Sequence, residues 1–352
     1  MQINFSNDVK ASPDKDAVYH YAKGTIAVKK ITLPALPNAT IYGILKEKSL
    51  GDAYDRTGSV FIIPTDKKLS FLDALHDSVN RLPHIISGEK QYPGVVSTQN
   101  YDPPVELIRF FTPFGIGHFN NKRSLQDKDW EEEVLYEQDL TSILKGYAGK
   151  TVWIGAYIAN YDNGGHQINF HLDYHPNERK KKREAVQKNV VIPVFNTLNI
   201  LEMAGQPYAT MFEHDSLTIT FEVTEEIAHP VLRFITTGHG GWETGDEFTQ
   251  KENRLYLDGK LIYNVTPWRE DCSNYRKYNP ASGNFWNGIS SSDLSRSGWC
   301  PGSVSDPFYI PLQQLKKGKH TISVAIPMGK SSGNYFSSWN VSGVILGQQK
   351  GE

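Results

Sequence analysis

The 352-residue sequence holds two cysteines and four methionines, and no apolar run approaching a bilayer span. A span needs about 20 consecutive apolar residues, so the chain does not read as a membrane protein. No charge sign dominates either: 37 Lys and Arg stand against 39 Asp and Glu, a net charge of −2. That excludes a whole-molecule field drawing in nucleic acid or anionic lipid. Missing too are a phosphate-binding glycine loop, HExxH, CxxC and a nucleophile elbow. Helical periodicity is scarce. Its best instance is "LSFLDALHDSVNRL", where Leu72, Leu75, Val79 and Leu82 recur at helical spacing and predict a helix over Leu69–Leu82.

What the chain has in quantity is strand signal and aromatic surface. Segments such as "SVFIIP", "VELIRFF", "TVWIGAYIANY", "HQINFHLDYH" and "WNVSGVILG" are short, rich in β-branched and aromatic residues, and bounded by turn formers. Asp258-Gly259 within "LDGKL" predicts a tight hairpin. Many strands without alternating helices predict an all-β fold of sandwiches or jelly rolls. The polar run His175–Asn189, with five basic residues from Arg179 to Arg183, reads as a solvated connection between two domains. It lacks the interleaved aromatics that base stacking favours. The domains then cover 1–178 and 179–352.

Four groups of residues can carry chemistry. His171, Asp173 and His175 share one strand face in "HLDYH", and two histidines with a carboxylate can bind a metal. The pattern fits a polar outer face equally, and that is the preferred reading. Asp55 and Arg56 follow Tyr54 in "GDAYDRTGS", either as a surface ion pair or as a catalytic carboxylate beside a cation. "TTGHGGWETGDEF" puts His239, Trp242, Glu243, Asp246 and Glu247 in a glycine-rich loop. Its acidic cluster, without basic neighbours, predicts a raised carboxylate pKa. Finally "SRSGWCPG" gathers Arg296, Trp299 and Cys300 into eight residues. Cys272 and Cys300 lie in turn-rich loops; a disulfide is favoured over two free thiols and would be worth roughly 3–4 kcal/mol. No signal peptide is visible in "MQINFSNDVK". The chain otherwise reads as exported, with Met1 following the position of a removed signal.

In order along the chain, "AYDRTGSVFI", "IRFFTPFGIG", "VLRFITTGHGG", "LYLDG" and "SRSGWCPG" resemble the peptide-N-glycosidase F family, bacterial amidases that remove N-linked glycans from asparagine. The resemblance runs from about Gly51 to the C-terminal region, with 65–102 standing as an insertion. It implies two antiparallel eight-stranded jelly rolls side by side, with the active site in the cleft between them. Asp55 and Glu247 match the family's essential carboxylates. Tyr54, Arg56, Tyr157, His239, Trp242, Asp246, Arg296 and Trp299 fall at or beside its substrate-binding positions, and Cys272 and Cys300 match a family disulfide. A further family glutamate aligns with Gly155, which implies a missing charge and open space beside the innermost sugar, enough for an α1,3-linked fucose. The expected protein is a secreted or periplasmic bacterial monomer acting on N-linked glycoproteins and glycopeptides, with no cofactor or metal and no nucleic-acid or membrane partner. The rival readings are a non-catalytic carbohydrate-binding protein and a metal-dependent enzyme of the same architecture.

Overall fold

The computed structural model describes residues 2–3, 17–36, 38–116, 130–176, 188–240, 245–283, 291–330 and 336–349. Two pairs of antiparallel sheets make up the fold. Strands up to Pro176 form a five-stranded and a four-stranded sheet, and strands from Asn189 onward form two four-stranded sheets. In the second pair, the eight main strands taken in chain order pair as 1-8-3-6 and 2-7-4-5, the jelly-roll connectivity. Among the described residues the first pair holds nine strands. Two of them are short edge additions: Gln2–Ile3 beside His166–Pro176, and Tyr19–Tyr21 beside Ile26–Thr32.

Each sandwich buries the apolar half of its alternating strands. Leu45, Val60, Ile62, Leu107, Ile154 and Ile168 fill the first core, and Ile219, Leu232, Phe234, Leu255, Ile322 and Trp339 fill the second. At about 1.5–3 kcal/mol per large apolar side chain, this burial is the main favourable term of folding. Asp258 and Gly259 take φ of 50° and 78° between Asn253–Leu257 and Lys260–Val265, as the hairpin signal requires.

The strand Ser338–Gln349 is buried on both faces over most of its length. Trp339, Val341 and Ile345 enter its own core, whereas Val344 and Leu346 join the core of the other sandwich. Between the sandwiches lies a buried polar cluster. Arg109 grips Glu106 through Nε (3.0 Å) and Nη2 (2.7 Å) and donates from Nη1 to Thr237 Oγ1 at 3.1 Å. Arg233 donates to the carbonyls of Glu106 and Leu107 at 2.9 and 2.7 Å. Both arginines are at most 2% exposed, so the donors that tie the sandwiches are shielded from water.

The helix over Leu69–Leu82 is shorter than its periodicity predicts. It runs Phe71–His76 behind a capping box of Ser70 and Asp73. Asp77 then leaves the helical region (φ −133°, ψ −82°), and Ser78 caps a separate 3-10 turn, Val79–Arg81, by accepting from Asn80 N at 3.2 Å. This turn and the hairpin His84–Ser87/Lys90–Pro93 strap the sandwiches together. Tyr92 reaches Thr210 Oγ1 at 2.8 Å, and Gln206 donates to Pro93 O at 3.1 Å.

Candidate active site

The site is built where the loop Gly51–Arg56 of the first sandwich meets two loops of the second. Arg296 pairs with Trp268–Arg269 in a two-residue ladder, and Ser297 N donates to Glu247 O at 2.9 Å, so the arginine backbone is fixed on both sides. Gly298 turns the chain at φ 85°, and a Cβ there would stand 2.4 Å from Thr236 O, a position open to glycine alone. The disulfide Cys272–Cys300, with Cα atoms 5.1 Å apart, closes the loop from behind.

Arg296 lies between two carboxylates. Its Nε donates to Glu247 Oε1 at 2.9 Å and its Nη2 to Asp55 Oδ2 at 3.3 Å. The arginine is 1% exposed, while each carboxylate side chain keeps 19% of its surface. One guanidinium cannot neutralise two carboxylates. Burial, augmented by repulsion from Asp55 and opposed by Arg296, pushes Glu247 up to about 7. Burial likewise raises Asp55, with Arg296 opposing. The expected raised carboxylate is therefore present, for a corrected reason: Glu247 has a basic neighbour, and lost hydration outweighs it.

Asp55, Arg56, Tyr157 and His239 line a cleft of about 170 Å³ together with Tyr161, Asn199, Glu202, Tyr208 and Asn340. Arg56 is held by Asp52 through Nε (2.7 Å) and Nη2 (3.1 Å), and its guanidinium stands 4.9 and 5.2 Å from the rings of Tyr54 and Tyr161. His239 accepts from or donates to Thr237 Oγ1 at 2.8 Å, and burial plus nearby Arg109 lower it to about 3, so its ring is neutral.

Three expectations change. Trp299, expected at or beside a substrate-binding position, is 3% exposed, stacks on Phe111 at 4.2 Å and donates to Gly238 O at 3.0 Å. It supports the site from behind, with the Arg296 guanidinium 4.7 Å from its ring. Asp246 points away from the cleft, 1% exposed, accepting from Trp339 Nε1 at 2.7 Å. Gly155 opens no space, because a Cβ there would meet the ring of its cross-strand partner Phe61 at 2.4 Å. Trp242 and Glu243 lie outside the described residues, as does most of the basic run after Pro176. His171, Asp173 and His175 lie on an exposed strand face with His175 3.0 Å from Asp173, and among the described residues no group of three or more ligand-type side chains is placed to hold a metal.

The sequence reading missed Glu202 and Tyr208, which arrive on a loop with no motif, and the buried trio Glu47, Asp52 and His166. Only Asp52 carried a local signal, standing four residues before Arg56 in "DAYDR".

Two jelly rolls flanking a cleft with an arginine-bridged carboxylate pair define a double jelly-roll protein with a buried ionic cluster where the sandwiches meet. Family models place it further: the N-terminal model of peptide-N-glycosidase F matches residues 1–174 and the C-terminal model residues 207–346. The chain belongs to the peptide-N-glycosidase F family. It is similar to the solved structure of PNGF-II, with 50% identity and a TM-score of 0.92, covering 100% of this chain and 64% of that one. The chain thus spans slightly less than two thirds of that relative's length. It also resembles PNGase F, a glycosylasparaginase from Flavobacterium meningosepticum, at 14% identity and TM-score 0.62, covering 97% of this chain and 95% of that one. A recombinant PNGase F structure gives 16% identity and TM-score 0.61, covering 96% and 94%. Among curated protein sequences no match was found.

Proposed function

We propose that the protein hydrolyses the amide joining a glycosylated asparagine side chain to the first N-acetylglucosamine of an N-linked glycan. The products are aspartate in the peptide and a glycosylamine. The observation that carries this reading is the single buried Arg296 between Asp55 and Glu247, inside a family of such amidases. An amide needs both an activated water and a protonated leaving nitrogen. A carboxylate pair with one cation favours one ionised and one protonated member, which meets both needs.

Asp55 acts as the base that takes a proton from water as its oxygen attacks the amide carbonyl carbon. The C–N bond of the tetrahedral intermediate then breaks, and Glu247 gives the nitrogen its proton. Arg56 has five N–H donors and spends two on Asp52, leaving others for the oxyanion or a sugar oxygen. Tyr157 and neutral His239 line the substrate side of the cleft. Each sandwich forms one domain, with the division at 178/179 supported by strands ending at Pro176 and resuming at Asn189. The disulfide supports an exported protein, which we read as a monomer.

The test is glycan release from a denatured glycoprotein, with and without EDTA. Release that EDTA leaves intact supports the reading. Glycan binding without release would replace it with a carbohydrate-binding role, and loss of activity in EDTA would make it metal-dependent.

A further inference from the structure

Behind the cleft, the first sandwich buries three ionisable side chains that the reaction above does not use. Glu47, Asp52 and His166 are each at most 1% exposed. His166 Nδ1 is 2.7 Å from Glu47 Oε1, and its Nε2 is 3.4 Å from Asp52 Oδ2. Both neighbours are carboxylates, and Asp52 is ion-paired with Arg56 and so only accepts. A neutral imidazole would turn a lone pair toward one of them. A proton on each ring nitrogen satisfies both.

We propose that His166 is a buried imidazolium acting as a positioning residue, locking Asp52 so that Asp52 aims the Arg56 guanidinium into the cleft beside Asp55. The inference rests on the amidase reading for its catalytic consequence. Asp52 is saturated: Oδ2 receives Arg56 Nε and His166, and Oδ1 receives Arg56 Nη2 and the Tyr54 backbone N–H at 3.1 Å. With both oxygens anchored the carboxylate cannot rotate, and the planar fork of Arg56 is fixed with it. Alternating charges make the chain Glu47, His166, Asp52, Arg56 neutral as a unit, which lets it sit in the interior.

The groups facing His166 are Glu47 from Ala39–Ser49 and Asp52 from the site loop, with Arg56 beyond Asp52. Tyr136, from Glu133–Asp139, packs near Glu47 and donates to Phe111 O at 2.8 Å. Burial opposes the His166 cation, yet the hydrogen bonds it donates to Asp52 and Glu47 carry it up to about 9. Burial likewise opposes the Asp52 anion, and His166 and Arg56 bring it down to about 2.

Replacing His166 alone strands Glu47 in the core, so the test uses His166→Phe/Glu47→Leu, which removes both charges and keeps the volume. The variant is expected to unfold cooperatively and to lose about 10–100-fold in kcat with KM within about threefold, the pattern of a contact realised in the transition state. Combined with Arg56→Lys it should add little, because both changes disable the same guanidinium. Full wild-type kcat in the double variant, or losses that multiply in full with Arg56→Lys, would overturn the proposal. The protonation itself is read by nitrogen NMR of the wild-type protein at pH 7.5. Two protonated ring nitrogens on His166 are expected, and a neutral ring sinks the idea. That measurement stands even if wild type releases no glycan, an outcome that would fail the amidase reading alone.

Discussion

Arg296 Nη2 reaches Asp55 Oδ2 at 3.3 Å across 241 positions of sequence, and the same guanidinium holds Glu247 Oε1 at 2.9 Å. One cation from the second sandwich thus sets the charge balance of a carboxylate from the first. Removing it strands two half-buried acids. Arg296→Met should therefore abolish glycan release and cost on the order of 3–5 kcal/mol of stability, as breaking a buried ion pair does. Denaturant unfolding checks the second figure, and an unchanged midpoint would show that the two carboxylates do not depend on Arg296.

Asp55→Asn keeps the shape and removes the proposed base. Glycan release should fall at least about 100-fold while glycopeptide binding, measured by calorimetry, persists. A variant retaining a tenth of wild-type rate would take Asp55 out of the proton-transfer role.

The pH dependence follows from Glu247. Its folded-state pKa is raised to about 7, so the proton that the proposed mechanism gives to the leaving nitrogen is present below that value and lost above it. Release rate at saturating glycopeptide should decline as pH rises through about 7. The stability this group contributes runs the same way, because a raised acid pKa means the folded state holds the proton more tightly. That contribution is complete below the unfolded value of about 4.3 and gone above about 7. In Glu247→Gln the alkaline limb should disappear from whatever activity remains.

Reducing or replacing Cys272–Cys300, which closes 28 positions of chain, should cost roughly 3–4 kcal/mol. It should also raise KM, since Arg296 stands four residues from Cys300. Two free thiols by mass spectrometry of the native protein would remove the staple from the argument.

Gly155→Ala should lower stability by about 1–3 kcal/mol, because the new Cβ overlaps the buried ring of Phe61. Discrimination between glycans with and without core fucose should not change. A shift in that discrimination at wild-type stability would return Gly155 to the cleft.

The strands, the Asp258-Gly259 hairpin and the two-domain plan were legible because alternation and turn chemistry are local. Asp55, Arg56, Glu247 and Arg296 were legible through short motifs. What sequence could not show was orientation. Asp246 and Glu247 are adjacent, yet one accepts from Trp339 in the core and the other faces Arg296 at the cleft, a choice made by loop packing. The same holds for Trp299: its place beside Arg296 in sequence does not tell a cleft residue from a support, and the stack on Phe111 makes it a support. His166 had no signal, since its partner Glu47 lies on another strand, and Glu202 had none because it and Tyr208, six residues on, form no recognisable motif.

The strand Ser338–Gln349 gives its odd-numbered side chains to one core and its even-numbered ones to the other sandwich. It is a party wall rather than a partition with a gap. Ser338 and Asn340, at its cleft end, line the cavity that holds Asp55, so the mouth is framed by a beam both domains share. Among the described residues this side of the mouth is one continuous strand packed into both cores. On the proposed amidase reading, the bending needed to bring a glycosylated asparagine to that shared strand falls to the substrate, and an unfolded or looped-out segment is expected to be cleaved faster than the same sequon on a rigid strand.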